Sequence, residues 1–371
     1  MSAALPLPAA APAAFSLADY EQAARQRLDA ATWARVFGAA GDEHTAQANR
    51  ADWAALRLLP RVLRAGAGGH TRVHLLGREW PTPLLAAPMA GLGALHPGGD
   101  LALARACAAQ GAGLVVSERC GVDIETLAQA VRAEPGRGPL LVQITWHPDR
   151  GWMRQWLARI AAAGFDAVVL SVDAPVQGVR DAERRVGPAP IPPCPNLQDR
   201  PPLRPDPAAG LCGGWGALAP SWDALAQCLA DSPLPLWLKG VLHPDDARQA
   251  AALGAAGVIV SNHGGRVLDT AVSTAWALPR VVDALGDALP VAVDGGLRRG
   301  TDVLKALALG ARAVLIGRPL AAALAVGGAL AAAHALRLLR DELEAALLLT
   351  GTPHPAAACR DLIAVDGAPL P

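Results

Sequence analysis

The chain has 371 residues, and its 33 Lys plus Arg are balanced by 33 Asp plus Glu. That length suits one large α/β domain or two smaller ones, and a net charge of zero excludes a general attraction to nucleic acid or to an anionic membrane. Recognition of an acidic ligand must therefore come from local arginines.

Taken in order, residues 1–15 are apolar but broken by Pro6, Pro8 and Pro12 and carry no basic flank, so they read as a flexible arm, neither a signal peptide nor a spanning helix. Residues 16–371 read as one domain. Its first part, 16–80, predicts helices and then a short extended segment, HTRVHLL, at His70–Leu76. From Pro83 onward, short β-rich apolar runs alternate with Ala/Leu-rich helical stretches, the pattern of repeated β-α units around a parallel sheet. Eight runs are legible: LLAAP from Leu84, GLVVS from Gly113, LLVQI from Leu140, AVVLSV from Ala167, LWLKG from Leu236, GVIVS from Gly257, VAVDG from Val291 and AVLIG from Ala313. Several intervening stretches (ALARACAAQG, MRQWLARIAAAG, PDDARQAAALG, GTDVLKALALG) end in glycine, as a helix C-cap does. Eight units predict a closed (β/α)8 TIM barrel, with the 16–80 region as a helical extension that closes its bottom.

The stretch Gly187–Pro220 is dense in Pro and Gly, lacks periodicity and is too long for a simple connection, so it predicts a lid or mobile loop after the fourth strand. Pro319–Leu339 is the most apolar later stretch; its glycines, His334 and the continuation RDELEAAL predict a packed C-terminal helix, not a membrane span. The six cysteines are scattered with no C-x-x-C pair, which argues against a zinc cluster or a disulfide framework and for a reducing cytoplasm.

A barrel of this kind carries its site at the C-terminal ends of the strands. There the sequence places Ser117, Gln143, Ser171 with Asp173, Lys239, Ser261 with His263 and Arg266, Asp294 with Arg298, and Gly317 with Arg318. Polar residues resume at any strand end, so each alone is weak; seven strand ends in a row are not. AVDGGLRRG and IGRP offer unobstructed backbone N–H groups and arginines where barrels bind phosphate. In VSNHGGRVLD, His263 is a base suited to neutral pH and Arg266 an anchor for an anion. Weaker patterns are set aside. GLGALH at Gly91 lacks the last glycine of a dinucleotide fingerprint, and His70 and His74 have no companion carboxylate for zinc.

SNHGGRVLD, DGGLRRGTDVLKALALGARAVLIGRP and LKGV, with GDEHT and Asn49 early, APMA at the first strand and SVDAP at the fourth, resemble the FMN-dependent 2-hydroxy acid oxidases and dehydrogenases. The resemblance runs from about Leu17 to the C-terminal helix. It implies FMN as cofactor, oxidation of an L-2-hydroxy acid to the 2-oxo acid, oxygen or another electron acceptor, and a homotetramer. It casts His263 as the base and Asp173 as the carboxylate that stabilises its protonated form. Arg266 and Arg298 then bind the substrate's carboxylate, and Lys239 supplies the positive charge beside the flavin ring. By the same resemblance Pro88, Met89, Ala90, Ser117, Gln143, Ser171 and Ser261 contact the flavin, Asp294, Gly295, Gly296, Arg298, Gly317 and Arg318 hold its ribityl and phosphate end, and Arg180 joins the substrate side.

Three aromatic positions that commonly surround the substrate in that family are changed, to Arg35, Arg119 and Thr145. Lost phenols and added guanidinium groups predict a larger or more acidic substrate. The competing reading leaves Arg35 and Arg119 as solvent-facing or surface-paired side chains. Two other functions compete: a flavin barrel of different chemistry, which would not need His263 and Arg266, and a flavin-binding protein that has lost turnover and serves as a sensor or assembly partner.

Overall fold

The computed structural model describes residues 14–64, 66–189, 192–365 and 368–369. Most of the expected arm, residues 1–13, lies outside them; of its last two residues, Ala14 is buried and Phe15 exposed.

All eight apolar runs are strands. They are β1 (Leu84–Ala86), β2 (Gly113–Ser117), β3 (Leu140–Thr145), β4 (Ala167–Ser171), β5 (Leu236–Val241), β6 (Gly257–Val260), β7 (Val291–Val293) and β8 (Ala313–Ile316). Each pairs in parallel with the next, and β8 closes on β1 through Val314 opposite Leu84 and Ile316 opposite Ala86. Both faces of such strands are buried, hence their unbroken apolar runs. The four predicted C-cap glycines, Gly111, Gly164, Gly254 and Gly310, all have positive φ, the left-handed turn that ends a helix without a Cβ penalty.

The period-two alternation of a strand explains why the polar residues converge. One buried cluster fills the barrel and includes Leu85, Val115, Leu141, Val169, Trp237, Ile259, Ala292 and Leu315. Two residues further along each strand, on the same inward face, stand Ala87, Ser117, Gln143, Ser171, Lys239, Ser261, Asp294 and Gly317. The barrel is thus apolar in its body and polar at its C-terminal mouth.

The 16–80 region divides its work between the two ends, which corrects the expectation that all of it closes the bottom. The hairpin of Val73–Leu75 and Arg78–Trp80 does so, inserting Leu75 and Trp80 into the inner cluster. The helices α1 (Leu17–Arg27), α2 (Ala30–Phe37) and α3 (His44–Ala55) instead reach the mouth. There Asn49 and Asn262 exchange two side-chain hydrogen bonds of 2.8 and 2.9 Å, and Ala40 N–H donates to Gly265 O at 2.8 Å. A Cβ on Gly296 would lie 2.3 Å from Asn49 O, so α3 packs this closely only on glycine.

The predicted C-terminal helix spans Arg318–Leu349 and is broken at Gly327 and Gly328, where Arg27 donates to the freed Val326 carbonyl. It is long and apolar enough to cross a membrane, yet 72% of its most apolar window is buried against the rest of the protein. Tyr20 O–H bonds His334 Nδ1 at 2.8 Å, tying α1 to this helix. Among its described residues, the long loop Gly187–Pro220 holds only short turns of three to five residues. Asn196 anchors it by accepting from Ile124 N–H at 3.0 Å and donating to Val122 O at 3.0 Å, and His147 Nε2 meets Pro201 O at 3.0 Å.

Candidate active site

Lys239 is the buried centre of the mouth. Its Nζ donates to Ser261 Oγ at 2.8 Å and lies 3.1 Å from Asp294 Oδ2. Burial alone would lower this ammonium, but the charges of Asp294 and Asp173 outweigh it and hold Lys239 above its ordinary value. The strand is irregular here: β5 and β6 slip register between Lys239 and Val241 around Gly240, whose φ is +108. A Cβ on Gly240 would lie 2.4 Å from that of Asp173, so the bulge and the missing side chain let Asp173 reach the site.

His263 sits one turn beyond β6. Its Nδ1 lies 3.1 and 3.2 Å from the two oxygens of Asp173. This partner places the ring proton on Nδ1 and leaves Nε2 as the free acceptor. The His263 φ of +57 is unusual for a residue with a Cβ and opens a left-handed turn continued by Gly264 and Gly265. Burial of Asp173 would raise its carboxyl, yet the bond from His263 and the charge of Lys239 leave it below the ordinary value.

Arg266 Nη2 and Arg180 Nη1 share one carboxylate oxygen, Glu183 Oε1, at 3.0 and 3.2 Å. Burial, then the Arg180 charge, push Arg266 down to about 10. Arg298 is engaged elsewhere: its Nε lies 2.9 Å from Glu21 Oε1, a charge contact not aligned as a hydrogen bond. This geometry favours Arg180 over Arg298 as the second anchor beside Arg266.

Arg318 opens the last helix just after β8. It donates to Gly264 O at 2.9 Å and Gly38 O at 3.3 Å, and among the described residues it has no acidic ion-pair partner. Burial, followed by the charges of Arg266, Arg298 and Arg50, push it down to about 9. A largely desolvated guanidinium at a helix N-terminus, with no ion-pair partner among the described residues, is a site built for an anion.

Of the other expected residues, Ser117 Oγ donates to Gln143 Oε1 at 3.3 Å and also accepts from Arg119 N–H. Pro88 and Met89 are half-buried and Ala90 exposed on the turn after β1. The Arg119 side chain is exposed, whereas Arg35 lies along the Gly91 loop, its Nη2 3.2 Å from where a Cβ on Gly91 would stand. Sequence reasoning missed three acids, Glu21, Glu183 and Glu118. The first two balance arginines it had named; Glu118 is fully buried, and its raised carboxyl reflects that burial against the opposing charge of Arg200.

Comparison with known proteins meets this geometry. The model of the family described as FMN-dependent dehydrogenase matches residues 24–365. The chain belongs to this family. It is 44% identical over 346 residues to an L-lactate oxidase of Alicycliphilus denitrificans, covering 92% of this chain and 93% of the relative. With glycolate oxidase 1 of Zea mays it shares 37% identity over 359 residues, covering 94% and 95%. A crystal structure of mandelate oxidase superposes with a TM-score of 0.85 at 34% identity, covering 95% of this chain and 99% of that one. Membership makes the protein an FMN-dependent oxidoreductase acting on CH–OH donors, and the mouth fits that cofactor. Asp294 Oδ1 is buried without a hydrogen-bond partner, an acceptor waiting for a hydroxyl such as those of the ribityl chain, and Arg318 is a cation waiting for a phosphate.

Proposed function

We propose that the protein oxidises an L-2-hydroxy acid to the 2-oxo acid and passes the electrons to oxygen. The observation that carries this reading is the His263–Asp173 pair beside two arginines, Arg266 and Arg180, that meet on a single carboxylate. The substrate's carboxylate takes a place against those guanidinium groups, which fixes the hydroxyl-bearing carbon near His263. Nε2 of His263 accepts the proton leaving the hydroxyl or the carbon, and Asp173 balances the charge that arrives on the ring. FMN, when bound, supplies the acceptor for two electrons. With FMN bound, Lys239 would supply a fixed positive charge to the flavin, and Arg318, with Arg298 near it, would hold the phosphate end. This assigns Arg298 to the cofactor and Arg180 to the substrate.

The reading includes a homotetramer in a reducing cytoplasm. Val62 and Leu63 adjoin Leu348 and Leu349 as exposed apolar side chains, a surface that assembly would cover. The test of function is the visible spectrum of the holoprotein, followed anaerobically as short, aromatic, long-chain and dicarboxylic 2-hydroxy acids are added singly. Bleaching by one class, reversed by air, supports the proposal; a flavin that none of them bleaches rejects it.

A further inference from the structure

Glu118 follows Ser117 directly at the end of β2 and is fully buried. Its Oε1 accepts a hydrogen bond from Thr145 Oγ1 at 2.5 Å and lies 3.3 Å from Arg200 Nη1. Arg200 reaches in from the long loop after β4, donates to Trp146 O at 3.2 Å and stands over the Trp152 ring. The second oxygen of Glu118, Oε2, is equally buried and has no hydrogen-bond partner. A buried acceptor left unmet is costly, and native interiors rarely leave one without reason. The backbone and hydroxyl of Thr145 and the Arg200 guanidinium serve the carboxylate, and Oε2 is left without a hydrogen-bonding donor of its own among the described residues.

Position says what could supply it. In a closed ring of eight strands, β2 and β3 stand across the mouth from β6 and β7. Glu118 and Thr145 cap β2 and β3, next to the Ser117–Gln143 hydrogen bond, and His263 and Arg266 follow β6. A 2-hydroxy acid held by its carboxylate at Arg266, with its reacting carbon at His263, has only its side chain left to turn toward the far wall.

We propose that Glu118, with Thr145 and Arg200, is a specificity-determining subsite for a neutral hydroxyl on the substrate's side chain, so that 2,3-dihydroxy acids are the preferred class. This rests on the reading of the protein as a 2-hydroxy acid oxidase. A hydroxyl donates to Glu118 Oε2 and accepts from the guanidinium of Arg200. A second carboxylate is poorly served here, since it has no proton to give and the charge of Arg200 is already answered. The buried wall thus reverses what Arg35 and Arg119 suggest by themselves.

Glycerate and lactate differ by one side-chain hydroxyl, and malate puts a carboxylate at the side chain's end. The test compares kcat/KM for the L-forms of all three in the FMN-loaded enzyme and in a Glu118→Leu/Arg200→Met double variant, which strands no buried charge. The wild type is expected to favour glycerate over lactate by about tenfold to a hundredfold, the range for a substrate hydroxyl meeting a buried partner. In the double variant that ratio collapses to about one. Because both substrates report on the same site, a general loss of packing lowers the two rates together and leaves the ratio unmoved. Lactate or malate used as well as glycerate by the wild type overturns the proposal, even if the variant fails to fold, and so does a ratio that survives in the variant. Bleaching of the flavin by lactate or malate but not glycerate overturns the subsite alone; bleaching by no 2-hydroxy acid overturns the function as well.

Discussion

Replacing Arg318 with methionine should stabilise the apoprotein and weaken its hold on FMN. Burial first, and then the charges of Arg266, Arg298 and Arg50, hold the guanidinium down at about 9, well below the ordinary arginine range. At about 1.36 kcal/mol per pH unit, a downward displacement of this kind costs at most several kcal/mol. The side chain is partly open to solvent and donates to two carbonyls, so the net cost of the charge is smaller, about 2 kcal/mol. The folded value lies below the unfolded one, so the folded state loses its proton first. The penalty is therefore complete at every pH below about 9 and is relieved as pH rises from there toward the ordinary arginine range. At neutral pH the apo variant gains that 2 kcal/mol, a rise in Tm of about 2–3 °C for a chain of this size. With cofactor present the sign reverses, because methionine cannot make the charge-assisted hydrogen bonds to phosphate, each about 1.5–3 kcal/mol, and the Kd for FMN rises about tenfold to a hundredfold. Thermal melts of apo and FMN-loaded protein, with Kd from quenching of flavin fluorescence, read both effects. An apo variant that melts below the wild type and binds FMN unchanged would refute the reasoning.

His263→Gln should retain FMN but slow anaerobic bleaching by substrate about a hundredfold to ten-thousandfold, the usual share of a positioned base; stopped-flow absorbance measures it, and an unchanged rate returns the binding-protein reading. Lys239→Met strands Asp294 as a buried unpaired carboxylate and should destabilise the fold by about 3–5 kcal/mol, seen in urea unfolding, whereas equal stability would mean that Asp294 finds another partner. Glu183→Gln keeps a hydrogen-bond acceptor for Arg180 and Arg266 but removes the negative charge competing with an anionic ligand. Oxalate, titrated by perturbation of the flavin spectrum, should then bind about tenfold more tightly, and weaker binding would show that Glu183 is needed to orient the arginines.

The barrel was legible because each of its strands is a short apolar run fenced by glycine or proline, and because residues two positions beyond the apolar inward positions share their direction. In the sequence, Ser117, Gln143, Ser171, Lys239, Ser261 and Asp294 already group by their place at the strand ends, where a barrel carries its site. Less legible was anything decided by contacts distant in sequence. Arg298 and Arg266 look alike in sequence, and only the position of Glu21 on α1 separates them. The destination of α3 was hidden for the same reason: GDEHT and Asn49 carried part of the family resemblance, but the closeness of Asn49 to Gly296 and its exchange with Asn262 belong to the folded chain. Glu118 was missed because an acid directly after a strand reads as the start of a solvated loop. Its burial depends on Arg200, 82 residues away, folding back from the long loop.

That return path changes what the loop is for. A free lid would leave the ends of β1–β3 open, yet Pro192 lies against Gly91 and Gly93, Asn196 bonds the segment after β2, and Arg200 and Pro201 reach Glu118 and His147 beyond β2 and β3. The segment from Pro192 to Pro201 is therefore a wall resting on three successive strand ends, and the more exposed stretch from Pro205 to Leu218 is the part left to move. Reaction chemistry and selectivity are thereby separated in the sequence. His263, Asp173, Lys239 and Arg266 come from the β4–β6 side, within the motifs SVDAP, LKGV and SNHGGRVLD, while the opposite wall is assembled from Glu118, Thr145 and the loop. Substitutions on that wall should alter which acid is oxidised, and substitutions on the β4–β6 side whether any is oxidised at all.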